Sequence, residues 1–372
     1  MRRKNKMTSF TPPGIGHETK RNYNSFDIAK FLCSFLVVAI HIAPFGEQTA
    51  SDFYTNLNFA FQQGICRIAV PLFFIFSGFF LYKKTPANNF SFAPTKKYVC
   101  HIALLYLAWT VIYLPISILN IRYFPDGVMA GISLYIKRFF LLGSYIQLWY
   151  LNALMVSVLL VSFLLYKKYS PKKILIISAI FYVIGLLGDG YFGVLDAMTR
   201  GTFMQGTVNL YFDVFETTRN ALFFGFFFIS IGMVLANTKR SFSTKKSLAL
   251  FICSLILLLI EAFTLWHFDI SFEHNLLVAS VPCAVFCFMF LETLEVKDRK
   301  IYKTLRTMSS LIFFGHLWVE YIFSRWIFSA GGDKYFSTAI PFLTTLIVTI
   351  LCSFVVIKIS NVKGFRWVKK LL

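Results

Sequence analysis

The stretch "DIAKFLCSFLVVAIHIAPFG", Asp27 to Gly46, decides how this chain reads. It has the length of a membrane span, since about 20 apolar residues at 1.5 Å each cross roughly 30 Å of hydrocarbon. Yet it opens on an aspartate and a lysine and keeps His41 far along its length. Counting outward from it gives ten apolar blocks, at 25–44, 60–82, 98–119, 146–166, 173–192, 219–237, 247–267, 273–293, 307–328 and 337–359. The runs are continuous rather than alternating, which fits helices and not a barrel. With 57% hydrophobic residues, 15% charged and 45 phenylalanines in 372 residues, the expectation is an all-α polytopic membrane protein of about ten transmembrane helices.

The basic residues test this division independently, because cytoplasmic loops hold the excess of Lys and Arg. One side collects Arg2, Arg3, Lys4, Lys6, Lys20 and Arg21, then Lys83, Lys84, Lys96 and Lys97, then Lys167, Lys168, Lys172 and Lys173. The same side takes Lys239, Arg240, Lys245 and Lys246, then Lys297, Arg299, Lys300, Lys303 and Arg306, and finally Lys363, Arg366, Lys369 and Lys370. The other side holds only a scatter: Arg122, Lys137, Arg138, Arg200 and Lys334. Both termini are therefore expected to be cytoplasmic, with a tail at 1–24, a transmembrane domain at 25–360 and a basic tail at 361–372. Spread over loops in this way, the net charge of +20 calls for a bilayer and no nucleic acid.

The seven cysteines all fall within or at the edge of apolar blocks and are odd in number, so they are read as packing residues, with no disulfide framework and no metal site. No short hydrophobic segment ends in a small-residue cleavage site, so the first span is expected to act as an uncleaved anchor. Two outer loops are long. In 120–145, "GISLYIKRFFLLG" fits an amphipathic helix lying at the interface, and 192–218 is aromatic, mixed in charge and long enough to cover a site.

An ionisable group in a span costs about 2.5–3.5 kcal/mol on insertion scales, so each one needs a reason. Lys30 and His41 are eleven residues apart, which brings them within about 20° of one helical face and about 16 Å apart along the axis. Asp27 and Ser34 lie one turn to either side of Lys30, completing a polar stripe. Lys30 reads either as a snorkelling cation paired with Asp27 or as part of a site. His41 reads as a hydrogen-bonding strut or as a general base. His316, with Glu320 one turn on, is an acid/base pair, a proton relay or a satisfied helix contact. No H-E-x-x-H pattern accompanies either histidine, so metal is not expected. Gln62, Gln63 and Arg67 open the second block, Gln147, Trp149 and Asn152 the fourth and Arg219 the sixth, either as a hydrophilic outer vestibule that Glu261 joins or as interface anchors.

Together these stretches resemble the integral-membrane acyltransferase family 3. "FDIAKFLCSFLVVAIH" is similar to the family's opening helix, with Lys30 in the place of an arginine and His41 in that of the histidine. "RIAVPLFFIFSGFFLYKK" resembles its P-L-F-F-x-x-S-G block, which includes Ser77. "LWYLNALM", "RNALFFGFFFISIGMVLA" and "SSLIFFGHLWVEY" follow in the family's order. The lysine, "RIAVPLFF" and "TRNALFFGFFF" look most like the branch containing the membrane domains of vancomycin-resistance serine racemases and envelope O-acetyltransferases. Those racemases carry a soluble pyridoxal-phosphate domain after the membrane part, and none follows here before Leu372, so racemisation is not expected.

The resemblance implies transfer of an acyl group, acetyl in the first instance, from cytoplasmic acetyl-CoA or another acyl-CoA. The acceptor is a hydroxyl of an envelope carbohydrate or lipid-linked molecule, at the bacterial cytoplasmic membrane and with no bound cofactor. It implies that Lys30 meets the anionic donor, Asp27 orients Lys30, and His41 deprotonates the acceptor or relays the acyl group. Arg67, Trp149, Asn152 and Arg219 then shape the acceptor side, with Ser77, His316 and Glu320 also assigned to substrate. The alternative is a permease for a small polar solute such as serine, in which His41, His316 and Glu320 couple protons.

Overall fold

A computed structural model describes residues 23–46, 52–85, 90–238, 242–326 and 338–371. The expected tail at 1–24, apart from Tyr23 and Asn24, and the cations Lys239, Arg240 and Lys334 lie outside these residues. Among the described residues every regular element is helical. The first is α1 (Asn24–His41), which ends earlier than the hydropathy suggests. Pro44 pushes the backbone before it out of the helical region, and Ile42 is already extended. His41 is therefore the last helical residue, where the chain turns, and not the middle of a span.

Next come α2 (Asp52–Phe59), a π-helical turn at Ala60–Gly64, a 3-10 turn at Ile65–Ile68, and α3 (Ala69–Lys84). Pro71 offers no N–H to the carbonyl of Arg67, so the regular ladder cannot run through this region. The chain continues through α4 (Phe92–Arg122), α5 (Val128–Leu141) and α6 (Trp149–Tyr166). After α7 (Pro171–Leu187), the expected loop at 192–218 instead forms two short helices, α8 (Phe192–Thr199) and α9 (Met204–Phe215). A second π-helical turn, Ala221–Gly225, opens α10 (Phe226–Asn237). Then follow α11 (Thr244–His267), α12 (Ser280–Thr293), α13 (Ile301–Trp326), α14 (Ile340–Ser360) and a 3-10 segment, Lys363–Leu371. The starts are written locally: Ser91, Ser170 and Ser243 each accept a first-turn N–H, and Asn220 accepts from Leu222 and Phe223.

Six of these segments are long and apolar enough to cross a membrane: Asn24–His41, Phe53–Lys84, Phe92–Arg122, Val128–Tyr166, Thr244–His267 and Ile340–Ser360. The pair α7 and α8, bent by 77°, makes a seventh if it counts as one span. The other apolar blocks form shorter helices, α10 and α12, or the more polar α13. The block at 273–293 becomes helical only from Ser280, because the Glu261 carboxylate takes the N–H groups of Val278 and Ala279 at 2.7 Å each. Glu261, expected in the vestibule, thus pins the start of α12.

Phenylalanines fill the core where α3, α10 and α12 meet α1. Between α3 and α10 the backbones themselves touch: a Cβ on Gly78 would stand 2.5 Å from Ile229 O, and one on Gly232 2.8 Å from Phe79 N. Small residues permit this approach, and no side chain can move aside to make room. Gly232→Val is expected to cost about 1–3 kcal/mol or more and to lower the thermal midpoint of the detergent-purified protein clearly. An unchanged midpoint would show that the two helices separate freely.

Candidate functional site

The fold splits the polar stripe of α1. Both oxygens of Asp27 are taken by Arg306 of α13, at 2.7 and 2.6 Å, so the carboxylate's hydrogen bonds go to Arg306 and none is made to Lys30. Asp27 is buried, and a guanidinium fork satisfies it better than a single ammonium does. The Lys30 ammonium lies over the rings of Phe76 and Phe80, at 5.4 and 4.9 Å from their centroids. Ser34 bonds back to Phe31 O at 2.6 Å. His41 lines a cavity.

That cavity is small, about 30 Å³, and its wall includes His41, Arg67, Gln147, Trp149, Arg219 and Asn275. Apolar side chains, among them Val37, Val70, Pro71 and Phe313, complete it. Trp149 and Arg219 also line a second cavity of about 600 Å³, between α4, α5 and the loop after α9, so these two side chains stand between the small chamber and the large one. Local structure sets each wall. Gln62, in the first π-helical turn, donates to Ala39 O at 2.7 Å and holds the end of α1 beside the 3-10 turn that carries Arg67. Such turns re-aim side chains that a regular helix would send elsewhere. Arg219 stands just before the second one, with its guanidinium 5.0 Å from the ring centroid of Trp149.

Two guanidinium groups share one acceptor. Arg67 and Arg219 reach Asn275 Oδ1 at 2.5 and 3.3 Å, and Arg67 also bonds Gln63. The other end of the Asn275 amide donates to Asp189 at 3.0 Å and to Glu273. Asp189 Oδ1 additionally accepts from the backbone of Asn275 and Leu276 at 2.7 and 2.9 Å. Sequence reading missed Asn275, Asp189 and Glu273. The only available sign was a set of polar residues in the short connections beside the fifth and eighth blocks. Like charges at one site are tolerable here because two carboxylates balance them through the amide.

His316 joins His41. The two rings lie 5.3 Å apart at their centroids, and His316 is fully buried. Its Nδ1 meets Ile312 O at 3.0 Å, so the expected pairing with Glu320 is not made. Asn152 donates to Phe140 O at 2.9 Å and ties α6 to α5, lining neither cavity. Ser77 meets the Tyr150 hydroxyl at 3.3 Å and also lines neither. Arg67, Trp149 and Arg219 are thus brought to His41, whereas Lys30, Asp27, Ser77, Asn152 and Glu320 are placed elsewhere. Among the described residues no three His, Cys, Asp or Glu side chains converge as a metal site would need.

The large cavity is closed on one side by a charged clasp. Glu216 pairs with Lys137 and Arg138 of α5 at 2.8 Å each. Partial burial pushes the Glu216 carboxyl up, but the two cations outweigh it and hold it below the ordinary carboxylate value. A depressed value contributes stability that is present above the unfolded carboxyl's range and is lost as pH falls through the folded value. Glu216→Gln is therefore expected to lower the thermal midpoint slightly at pH 7, with the difference from the parent shrinking as pH falls below the ordinary carboxyl range and vanishing below the folded carboxyl's own, lower value. A difference that does not shrink in acid would assign the effect to packing.

The sequence pattern of the family described as "Acyltransferase domain" matches residues 23–358. Curated relatives include an amino-acid racemase of Enterococcus faecalis, 29% identical over 267 residues, which are 72% of this chain and 35% of that one. A second amino-acid racemase of Enterococcus faecalis is 26% identical over 341 residues, 90% of this chain and 45% of that one. The serine/alanine racemase of Enterococcus gallinarum is 28% identical over 280 residues, 71% of this chain and 36% of that one. The chain thus spans less than half the length of each of these relatives. No solved structure matches. From the start of α1 into α14, with His41 at the chamber where α1, α6 and α13 meet, this multi-pass membrane chain belongs to the acyltransferase 3 family.

Proposed function

We propose that the chain moves an acyl group, acetyl in the first instance, from cytoplasmic acyl-CoA to a hydroxyl of an envelope carbohydrate or lipid-linked acceptor. The observation that carries this reading is the position of His41, in a small chamber with two guanidinium groups and a tryptophan, of which Trp149 and Arg219 also line a cavity of about 600 Å³. An imidazole beside fixed cations suits removal of a hydroxyl proton and stabilisation of the oxyanion that develops at the acyl carbon. In this reading the acceptor enters through the large cavity and Arg67 and Arg219 face the oxyanion. Lys30, about 16 Å along α1 from His41, lies toward the donor's side. The helices α10, α12 and α13 complete ten spans, both termini are cytoplasmic, and the membrane is the bacterial cytoplasmic one. The basic loops then face the phosphates of the donor and the anionic lipid surface.

The test is radiolabelled acetyl-CoA incubated with inverted vesicles containing the protein. Label should enter envelope material, and substitution of His41 should stop it. A second reading is passage of a small polar solute such as serine; the racemase relatives are named for amino acids, one of them for serine and alanine, and their names say nothing of transport. Uptake of labelled serine without any acetyl incorporation would establish that reading and sink the first.

A further inference from the structure

We infer that His316 is the positioning residue for His41, holding its imidazole in one tautomer and accepting a hydrogen bond from it once it has taken a proton. The inference rests on the acyl-transfer reading, in which His41 is the base. The His316 tautomer follows from its surroundings. Ile312 O, 3.0 Å from Nδ1, can only accept, so Nδ1 carries the proton and Nε2 presents a lone pair. That Nε2 is buried and has no hydrogen-bond partner among the described residues. A buried acceptor left without a donor costs about 1–3 kcal/mol, a cost that is offset when a donor arrives.

The neighbouring ring is that of His41. Imidazole nitrogens stand about 1.1 Å from the ring centre, so rings whose centroids lie 5.3 Å apart come within hydrogen-bond reach, about 3 Å, when a nitrogen of each points along the line between them. A turn of the His41 ring that sets one nitrogen toward His316 Nε2 makes that contact, and His41, at the last position of α1, also lines the chamber. Glu320 does not supply that donor, since a carboxylate only accepts.

The chemical step balances without any further reactant. The acceptor oxygen bonds the acyl carbon while its proton passes to one nitrogen of His41, and the carbon–sulfur bond breaks. His41 then returns the proton to the leaving thiolate. His316 gains no proton; its lone pair receives the N–H on the far side of His41 and steadies the transient imidazolium, the task a carboxylate performs in Ser-His-Asp triads.

The experiment compares His316→Leu with His316→Gln, whose side-chain oxygen can stand near the place of Nε2. The readout is the initial rate of acetyl transfer from labelled acetyl-CoA into vesicle envelope material, at varied donor concentration. His316→Leu should lower the maximal rate about a hundredfold with the KM for acetyl-CoA unchanged, and His316→Gln should recover at least about tenfold of that loss. Equal losses in both variants, or a leucine variant as fast as the parent, would overturn the inference. Should the leucine variant fail to fold, nitrogen-15 NMR of histidine-labelled parent protein in nanodiscs decides, with His316→Gln giving the assignment. A protonated Nδ1 and bare Nε2 on His316 support the inference, and the opposite tautomer ends it. If His41→Ala retains transfer, the acyl-transfer reading itself is wrong. If transfer depends on His41 and the leucine variant is fully active, only the role of His316 is wrong.

Discussion

His41→Ala is expected to lower acetyl transfer at least about a hundredfold, the usual contribution of a positioned general base, while leaving the thermal midpoint nearly unchanged. The two outcomes separate because His41 makes no hydrogen bond with another described residue. It lies at the end of α1, half-buried, where a smaller side chain enlarges the chamber without opening the phenylalanine core. Transfer by the alanine variant at the parent's rate would mean that His41 is a strut between α1 and α13. A collapse of the midpoint would point the same way. Wild-type melting with transfer lost assigns the residue to chemistry.

Asn275→Leu is expected to have the largest effect on stability, because a single amide stands between two cations and two carboxylates. Leucine has nearly the same volume, so the loss is electrostatic. Arg67 and Arg219 lose a common acceptor, and Asp189 loses the side-chain donor to its Oδ2. Removing one partner from a buried charged network costs about 3–5 kcal/mol, since the remaining charges stay out of water. The thermal midpoint should fall sharply and acetyl transfer should vanish with it. Asn275→Asp retains acceptors for both arginines but sets a third carboxylate beside Asp189 and Glu273, so it should recover part of the stability and not all. If leucine melts like the parent, Gln63 and the Trp149 ring suffice to hold the guanidinium groups.

Much of the architecture is legible in the sequence, because it is local. Apolar runs of fixed length form helices in hydrocarbon, where every backbone N–H needs a partner within its own segment. Serine and asparagine starts, and prolines at 44 and 71, act on neighbours a few residues away. His41, Arg67, Trp149 and Arg219 stood out for the same reason, as polar or amphipathic groups in apolar surroundings that hydrocarbon alone would not keep. Lys30 stood out equally, but two phenyl faces receive it. A polar residue in a span signals that a partner exists without saying which.

The sequence by itself determined an all-helical chain with long apolar helices, and it placed His41 on α1 and Arg67 ahead of Pro71. Only the tertiary structure decided the partners. Asp27 meets Arg306 across 279 positions, Arg67 meets Asn275 across 208, and His41 meets a histidine on α13. The physical reason is one of range. Hydropathy and capping act within a turn or a span, whereas a buried charge or lone pair is satisfied by whichever helix packing brings within about 3 Å. Gly78 and Gly232 let two backbones meet, and Pro44 ends α1 at His41, so contacts far apart in sequence choose which polar residues share the chamber.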